Sequence, residues 1–430
     1  MSLVRLVLYT TWAFAALYLV GRPLTVLFFG HRQLRRAAPH VVNYGVTFAV
    51  PCHNSAFKLR DTIASIERQG LLDYEILLVE NNSNDGTGLW LDQLASANPH
   101  VRLLRVDVGP GERPVSVALN AALAEARYHV FVRMDDDSCM MSGTLRYALQ
   151  MINDGAVAVT CNLRVTNAGT SLWTVCQSLE YLLAMELDRR AQRLYNSILC
   201  ASGGYSVFRT SVLREAGGYS LTPTISEDMD ATLKAHRVGR VEIAPRALGF
   251  TVVPTTLRAL IRQRHRWAIS GVVAMWEHRE GLVKRSYWGS WRRSIVGFVG
   301  LPIKAVLTLR GLFPLALGHM AATFVYGWHV KLLLFWAVPL GVTLLQLGMV
   351  APTAISRQGM RAILVLPIYS LIYEPLLAFV RAFGTLTAVQ GLYREHRRNK
   401  SAFGFTFATS IRQVTYPQFE LQAMARASAE

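Results

Sequence analysis

The sequence predicts an α/β protein: one soluble domain built on a mostly parallel sheet, with transmembrane and interfacial α-helices on either side. Three observations carry this. Two apolar runs rich in β-branched residues, VTFAVP at 46–51 and EILLVE at 75–80, are separated by an amphipathic stretch at about 57–69, the pattern of a βαβ unit. A third run, VFVRM, stops abruptly at Asp135, Asp136 and Asp137. Long apolar segments flank this region, and 52% hydrophobic residues with a mean hydropathy of +0.25 make the chain too apolar for an ordinary soluble enzyme.

A net charge of +17 admits nucleic acid as a partner, but the basic residues cluster beside the apolar segments, which fits an anionic cytoplasmic leaflet better. The five cysteines, Cys52, Cys139, Cys161, Cys176 and Cys200, show no CxxC spacing, so reduced thiols are expected rather than disulfides or a zinc site.

The first 30 residues read as a transmembrane helix whose carboxyl end faces the cytosol, since His31, Arg32, Arg35 and Arg36 follow it. A cleavable signal peptide competes, without a clear small-residue cleavage site. In the cytosolic domain expected over 45–275, the first strand delivers Pro51, His53 and Asn54. The second delivers Glu80 and Asn81, then Ser83, Asn84, Asp85, Gly86 and Thr87. Polar clusters at two adjacent strand ends suit a nucleoside, although each alone is also what a turn requires. The loop and helix at 109–126 lack the Lys and Ser/Thr of a P-loop, and no GxGxxG is present, so kinase-like and dehydrogenase-like readings lose support.

The three acids belong at a strand's carboxyl end, because carboxylates are too costly inside a strand core. Alternate residues of an extended chain project to one side, so Asp135 and Asp137 can share a hard cation, Mg2+ or Mn2+, that would hold a diphosphate. A solvated acidic turn is the competing reading.

The segments PCHNS, VENNSNDGT, VALNAAL and MDDDS together resemble the nucleotide-sugar half of the family 2 glycosyltransferases, inverting enzymes with a GT-A fold. VTCNLRV (159–165), ASGGYSVFRTSVLREAGGYS (201–220), ISEDMD (225–230) and QRHRW (263–267) resemble the membrane-embedded, processive branch that makes poly-N-acetylglucosamine, chitin oligosaccharides, hyaluronan and cellulose. The resemblance implies a UDP-sugar donor whose site includes Pro51, His53, Asn54, Glu80, Asn81, Asp85, Asn120, Asp135 and Asp136. It makes Asp228 the base, with Glu227 orienting it or binding acceptor, and places Gln263, Arg266 and Trp267 in the active site. An inverting transfer needs such a base opposite the departing diphosphate; Arg266 would stabilise that diphosphate and Trp267 would offer a platform for the acceptor sugar. A helix start capped by Ser226 is compatible with the same residues. Ser202, Gly203 and Gly204 are expected to line the acceptor site, with Asn162 and Arg164 facing the cleft. Arg258, Arg262 and Arg264 are read as lipid-headgroup contacts.

The chain departs from the family pattern in three places. Asn81 stands where an acid usually grips the nucleoside, Ser55 replaces a common Glu, and a Lys before the ALN segment has no counterpart beyond Arg105 or Arg113. GDP therefore stays open beside UDP.

Residues 276–310 are read as interfacial, KRSYWGSWRR mixing bases with aromatics. Transmembrane helices are expected within 311–392 (311–328, 332–351 and 362–389), with a basic cytoplasmic tail over 393–430. Glu374 and Arg381 inside the last of these mark either an internal pair or a polymer path. The combined reading is a multi-pass bacterial plasma-membrane transferase with a cytoplasmic catalytic domain, a polysaccharide or glycolipid acceptor, and no nucleic acid. Membrane lipids, a second copy or accessory export proteins are its expected partners. Single-sugar transfer to a lipid, or a non-catalytic nucleotide-sugar-binding or export subunit, are the alternatives.

Overall fold

A computed structural model describes residues 44–290 except 110, 111, 195 and 223, the stretch 364–402, and a few single residues between 296 and 348. Its centre is an eight-stranded sheet of β1 (Val46–Cys52), β2 (Tyr74–Asn81), β3 (Val101–Val106), β4 (Val130–Met134), β5 (Ser138–Met140), β6 (Ala156–Val165), β7 (Tyr205–Arg209) and β8 (Arg240–Thr251). The order is β3-β2-β1-β4-β7-β6-β8-β5. β3, β2, β1 and β4 run parallel; β7 is antiparallel to both β4 and β6, β6 and β8 are parallel, and β5 closes the edge antiparallel to β8.

β1 and β4 are buried along their whole length, which is why they read as unbroken apolar runs. Helices α1 (Ala56–Glu67), α2 (Thr87–Ala97) and α3 (Pro114–Glu125) connect the four parallel strands. Alternate strand residues feed two cores: Phe48, Val50, Ile76 and Val132 pack with Leu59 and Ile66, while Ala49, Leu77, Val79 and Phe131 pack with Leu119 and Leu123. The chain reverses its direction of growth at β1, so the carboxyl ends of β2, β1 and β4 meet at one edge, where an open α/β sheet offers a crevice.

The second half adds α4 (Leu145–Asn153) and α5 (Leu172–Leu183), the latter continued by a π-helical turn at Ala184–Arg189 into α6 (Arg190–Leu194). A capping box between Ser171 and Thr174 starts α5. α7 (Thr210–Glu215), α8 (Glu227–Val238) and α9 (Leu257–Glu277) follow, and α9 carries QRHRW. Among the described residues, one helix, α10 (Leu366–Arg394), is long and apolar enough to cross a membrane. It packs closely on α9 because Gly384 has no side chain: a Cβ there would stand 2.7 Å from the Cβ of Ala268 and 3.0 Å from the His265 carbonyl oxygen. Arg381 pairs with Glu374 at 3.1 Å, so these charges satisfy each other.

The expected spans at 1–30 and 311–328, most of that at 332–351, nearly all of the interfacial stretch beyond 290 and most of the tail lie outside the described residues. One interfacial expectation is corrected. Trp288 is fully buried among Leu199, Ile225, Met229 and Val273, and its Nε1 donates to the Gly281 carbonyl at 2.9 Å. An indole with its one donor satisfied is at home in a core.

Candidate active site

The three acids leave the carboxyl end of β4 in a tight turn, closed by the Ser138 N–H donating to the Asp135 carbonyl at 3.1 Å. This differs from the extended chain expected for them. The turn, rather than strand alternation, groups the carboxylates, and Asp137 acts on Asp135 more strongly than the adjacent Asp136 does. Desolvation in the cleft raises Asp135 to about 7 against the pull of Arg133, with Asp137 adding to the rise, although 43% of its side chain meets solvent. Asp136 and Asp137 are raised too, chiefly by desolvation, while Lys58 lowers both. Thr251 donates to Asp137 Oδ1 at 3.3 Å. Crowded, oxygen-only carboxylates of this kind fit a hard divalent cation. Among the described residues no three His, Cys, Asp or Glu side chains enclose a metal, so a cation held by Asp135 and Asp137 would complete its shell with substrate and water.

The loops after β1 and β2 interlock. His53 Nδ1 donates to the Asn81 carbonyl at 2.7 Å, leaving Nε2 to accept from Asn54. Asn54, at φ 53°, accepts from the Asn84 N–H through Oδ1 at 3.0 Å. Glu80 accepts from the Ser83 N–H at 2.6 Å, and Asp85 accepts from both the N–H and the hydroxyl of Thr87 at the start of α2. These hydrogen bonds hold Asp85 below the usual carboxylate range. Turn chemistry thus builds a shaped edge, with His53 and Asn54 exposed on it and Pro51 and Asn81 buried beneath.

Arg133, only 3% exposed near the carboxyl end of β4, ties this edge to the second half. Its Nη2 lies 2.7 Å from Glu227 Oε1 and 3.8 Å from Asp135 Oδ1. Glu227 Oε2 is also paired with Arg113, and the two arginines hold Glu227 down to about 2 despite its burial. The neighbouring Asp228 accepts through Oδ1 from the Ser226 hydroxyl at 2.6 Å and the Met229 N–H at 2.8 Å. Ser226 is the N-cap residue of α8, yet its hydroxyl serves Asp228 rather than the helix backbone. The Ser226 N–H in turn donates to the Ser270 carbonyl at 3.2 Å, one turn along α9 from Arg266 and Trp267. Arg266 and Trp267 are exposed, and Gln263 is half-buried. Gly203 packs onto Arg133 and Gly204 beside the acidic turn: a Cβ on Gly203 would stand 2.7 Å from Arg133 Nη2, and one on Gly204 3.1 Å from Ser138 Oγ and 3.7 Å from Asp135 Oδ2. Ser202 anchors that loop by donating its N–H to Thr160.

The chain matches the model of the family described as glycosyltransferase like family 2 over residues 43–270. It belongs to that family. Relatives include the poly-beta-1,6-N-acetyl-D-glucosamine synthases of Staphylococcus epidermidis, 28% identical over 56% of this chain and 58% of the relative. Those of Staphylococcus aureus are 28% identical over 53% of this chain and 54% of theirs. The chain thus spans just over half the length of these curated relatives. A mannosyltransferase from Pyrobaculum calidifontis, solved in complex with GDP-Man and Mn2+, superposes with a TM-score of 0.57 over 87% of this chain and 99% of its own at 21% identity. That likeness shows a shared GT-A-like fold.

Within this family 2 chain, three expected site residues are committed elsewhere. Both amide atoms of Asn120 are taken by the backbone of Tyr219, at 2.8 Å each, so it anchors the Gly218–Tyr219 turn instead of meeting donor. Asn120→Ala should therefore lower stability by about 1–3 kcal/mol in denaturant titration, with donor affinity kept. Asn162, 1% exposed, donates to Glu186 at 2.9 Å and to the Pro245 carbonyl. Arg164 pairs with the same Glu186 at 2.6 Å, as does Arg190 at 3.3 Å, so these side chains brace the π-helical turn below the cleft. Arg105 is spent on an exposed pair with Asp92, and Arg113 on Glu227. Arg133, Glu186 and Tyr181 escape sequence reasoning. Tyr181 is raised to about 12 by burial, and its neighbour Glu180 pairs with Arg264 of α9 at 2.7 Å.

Proposed function

We propose that the chain is an inverting membrane glycosyltransferase, moving an N-acetylhexosamine or hexose from a UDP-sugar to a hydroxyl of a growing polysaccharide. One observation carries this reading: an unbroken contact path from Asp135 through Arg133 and Glu227 to Ser226 and on to Ser270 of α9. This path links motifs scattered over more than a hundred residues of sequence, which supports a single site for donor and acceptor. Asp135 and Asp137 are the residues to hold Mg2+ or Mn2+, which would offset charge on the departing diphosphate. Asp228, its Oδ1 fixed by Ser226 and Met229, presents Oδ2 to the acceptor hydroxyl and takes its proton. Arg266 meets the diphosphate and Trp267 the acceptor ring. The loops of His53, Asn54 and Asn81 hold the nucleoside. The similarity to poly-N-acetylglucosamine synthases favours a polymer product, and α10 with the expected flanking spans favours the cytoplasmic face of a bacterial plasma membrane, with export as a coupled step.

The deciding experiment supplies full-length protein in nanodiscs with Mg2+ or Mn2+ and labelled UDP- and GDP-sugars, and scores nucleotide release and product size. Long products from one UDP-sugar are expected. A single sugar on lipid would overturn processivity, and no turnover with any donor would overturn the enzyme reading. Chelating divalent cations should abolish both turnover and calorimetric donor binding, with Mn2+ or Mg2+ restoring them. Asp137→Ala should raise the metal concentration required by about tenfold or more, since half the carboxylate set is lost.

A further inference from the structure

Arg264 lies inside QRHRW, and its burial sets it apart from Arg258 and Arg262, which are exposed as lipid-facing residues would be. Arg264 is 5% exposed, so the headgroup reading is corrected for it. Its Nη2 pairs with Glu180 Oε2 of α5 at 2.7 Å, and the same oxygen accepts from the Tyr373 hydroxyl of α10 at 2.6 Å. The Arg264 guanidinium also lies over the Trp267 ring, 4.3 Å from its centroid. Tyr373 is fully buried in a π-helical turn of α10 and stacks on Tyr369 at 5.3 Å. The Tyr369 hydroxyl donates to Glu374, which holds Arg381. A charged and hydroxylic chain thus runs from the one described helix apolar enough to span a membrane to the aromatic ring beside the crevice.

Such a chain is costly to bury, and a plain apolar contact between α9 and α10 would serve packing as well. What it adds is direction. A planar guanidinium fixed at one edge by Glu180 can lie flat on an indole and fix its tilt, which a lysine ammonium cannot do. The helix contact beneath is rigid, because Gly384 seats α10 directly against His265 and Ala268. Movement of Tyr373 would therefore be passed to Glu180, Arg264 and the ring together.

We propose that Arg264 is a positioning residue that sets the orientation of Trp267, and that Glu180 and Tyr373 make this orientation depend on the seat of α10. The role of the ring as acceptor platform rests on the function proposed above; the mechanical coupling does not.

The test uses the full-length protein in nanodiscs, with Tyr373→Phe as the mild variant and Arg264→Lys as the stronger one. Tyr373→Phe removes one hydroxyl and keeps the ring, so the fold is retained even where Arg264→Lys is not. Two readouts are taken. In kinetics, Tyr373→Phe is expected to raise the acceptor KM several-fold and Arg264→Lys about tenfold, each with donor KM unchanged. In a Trp267→Phe background, Tyr373→Phe should have no further effect, the non-additivity expected of residues acting through one another. In fluorescence, the emission assigned to Trp267 by difference from Trp267→Phe should shift in Tyr373→Phe. Additive kinetic effects, or an unshifted Trp267 emission, would overturn the proposal. A shifted emission in protein that turns over no donor would sustain the coupling while overturning the glycosyltransferase reading.

Discussion

Asp228→Asn is expected to lower turnover by about 10²–10⁴-fold, the range over which a positioned general base acts, while donor affinity stays within a factor of two or so. The local geometry should survive, because an amide oxygen can still accept from the Ser226 hydroxyl and the Met229 N–H that fix Asp228. What disappears is the basic oxygen on the other side of the group. Steady-state kcat and calorimetric donor binding, measured on the same preparation, separate these two effects. Turnover within about fivefold of the native protein would remove Asp228 from the base position. Loss of donor binding in step with turnover would instead make it a binding residue.

The largest stability change is expected at the adjacent residue. Glu227→Gln leaves Arg133 and Arg113 without the carboxylate that both share, and Arg133 is too buried to recover water. Removing one partner of such a buried group costs about 3–5 kcal/mol, read as a lowered midpoint in chemical denaturation. A pH profile carries the same information. Glu227 falls from 4.5 to about 2 on folding, so its contribution is present above pH 4.5, where the unfolded chain is also ionised. It is lost as pH drops from about 4.5 towards 2, because the unfolded chain then binds a proton that the folded one resists. Native protein should lose stability across that window, and Glu227→Gln should show a flatter profile there.

The parallel half of the sheet was legible because doubly covered strands leave uninterrupted apolar runs, and those runs end where polar residues begin. The acids were visible for the same reason, although the backbone that groups Asp135 with Asp137 differs from the one expected. Strand alternation was expected, and a turn closed by Ser138 does the work. Arg133 stayed hidden because a single Arg inside VFVRM carries no sign of its partner, and Glu227 lies 94 residues away. For Asn120 the family resemblance, and for Asn162 its place after a predicted strand, point to ligand contacts. The backbone of Tyr219 and the carboxylate of Glu186, which claim them, are set by tertiary packing. Arg264 looks like its neighbours Arg258 and Arg262 in sequence; only the approach of α5 and α10 distinguishes it.

The pairing of β5 with β8 has a consequence for how the protein is made. Thr251, which steadies Asp137, is 114 residues downstream of it, and the registers Ser138 to Thr251 and Met140 to Gly249 close the sheet edge. Strands β1 to β3 can associate as they leave the ribosome, each beside a neighbour close in sequence, and β4 then joins β1. The acidic turn gains its final support only after β8 has been synthesised, and such long-range pairing is slow. A nascent chain stopped before residue 240 would carry three crowded carboxylates on an unfinished edge. The acidic turn therefore cannot take its final form until β8 has joined the sheet edge.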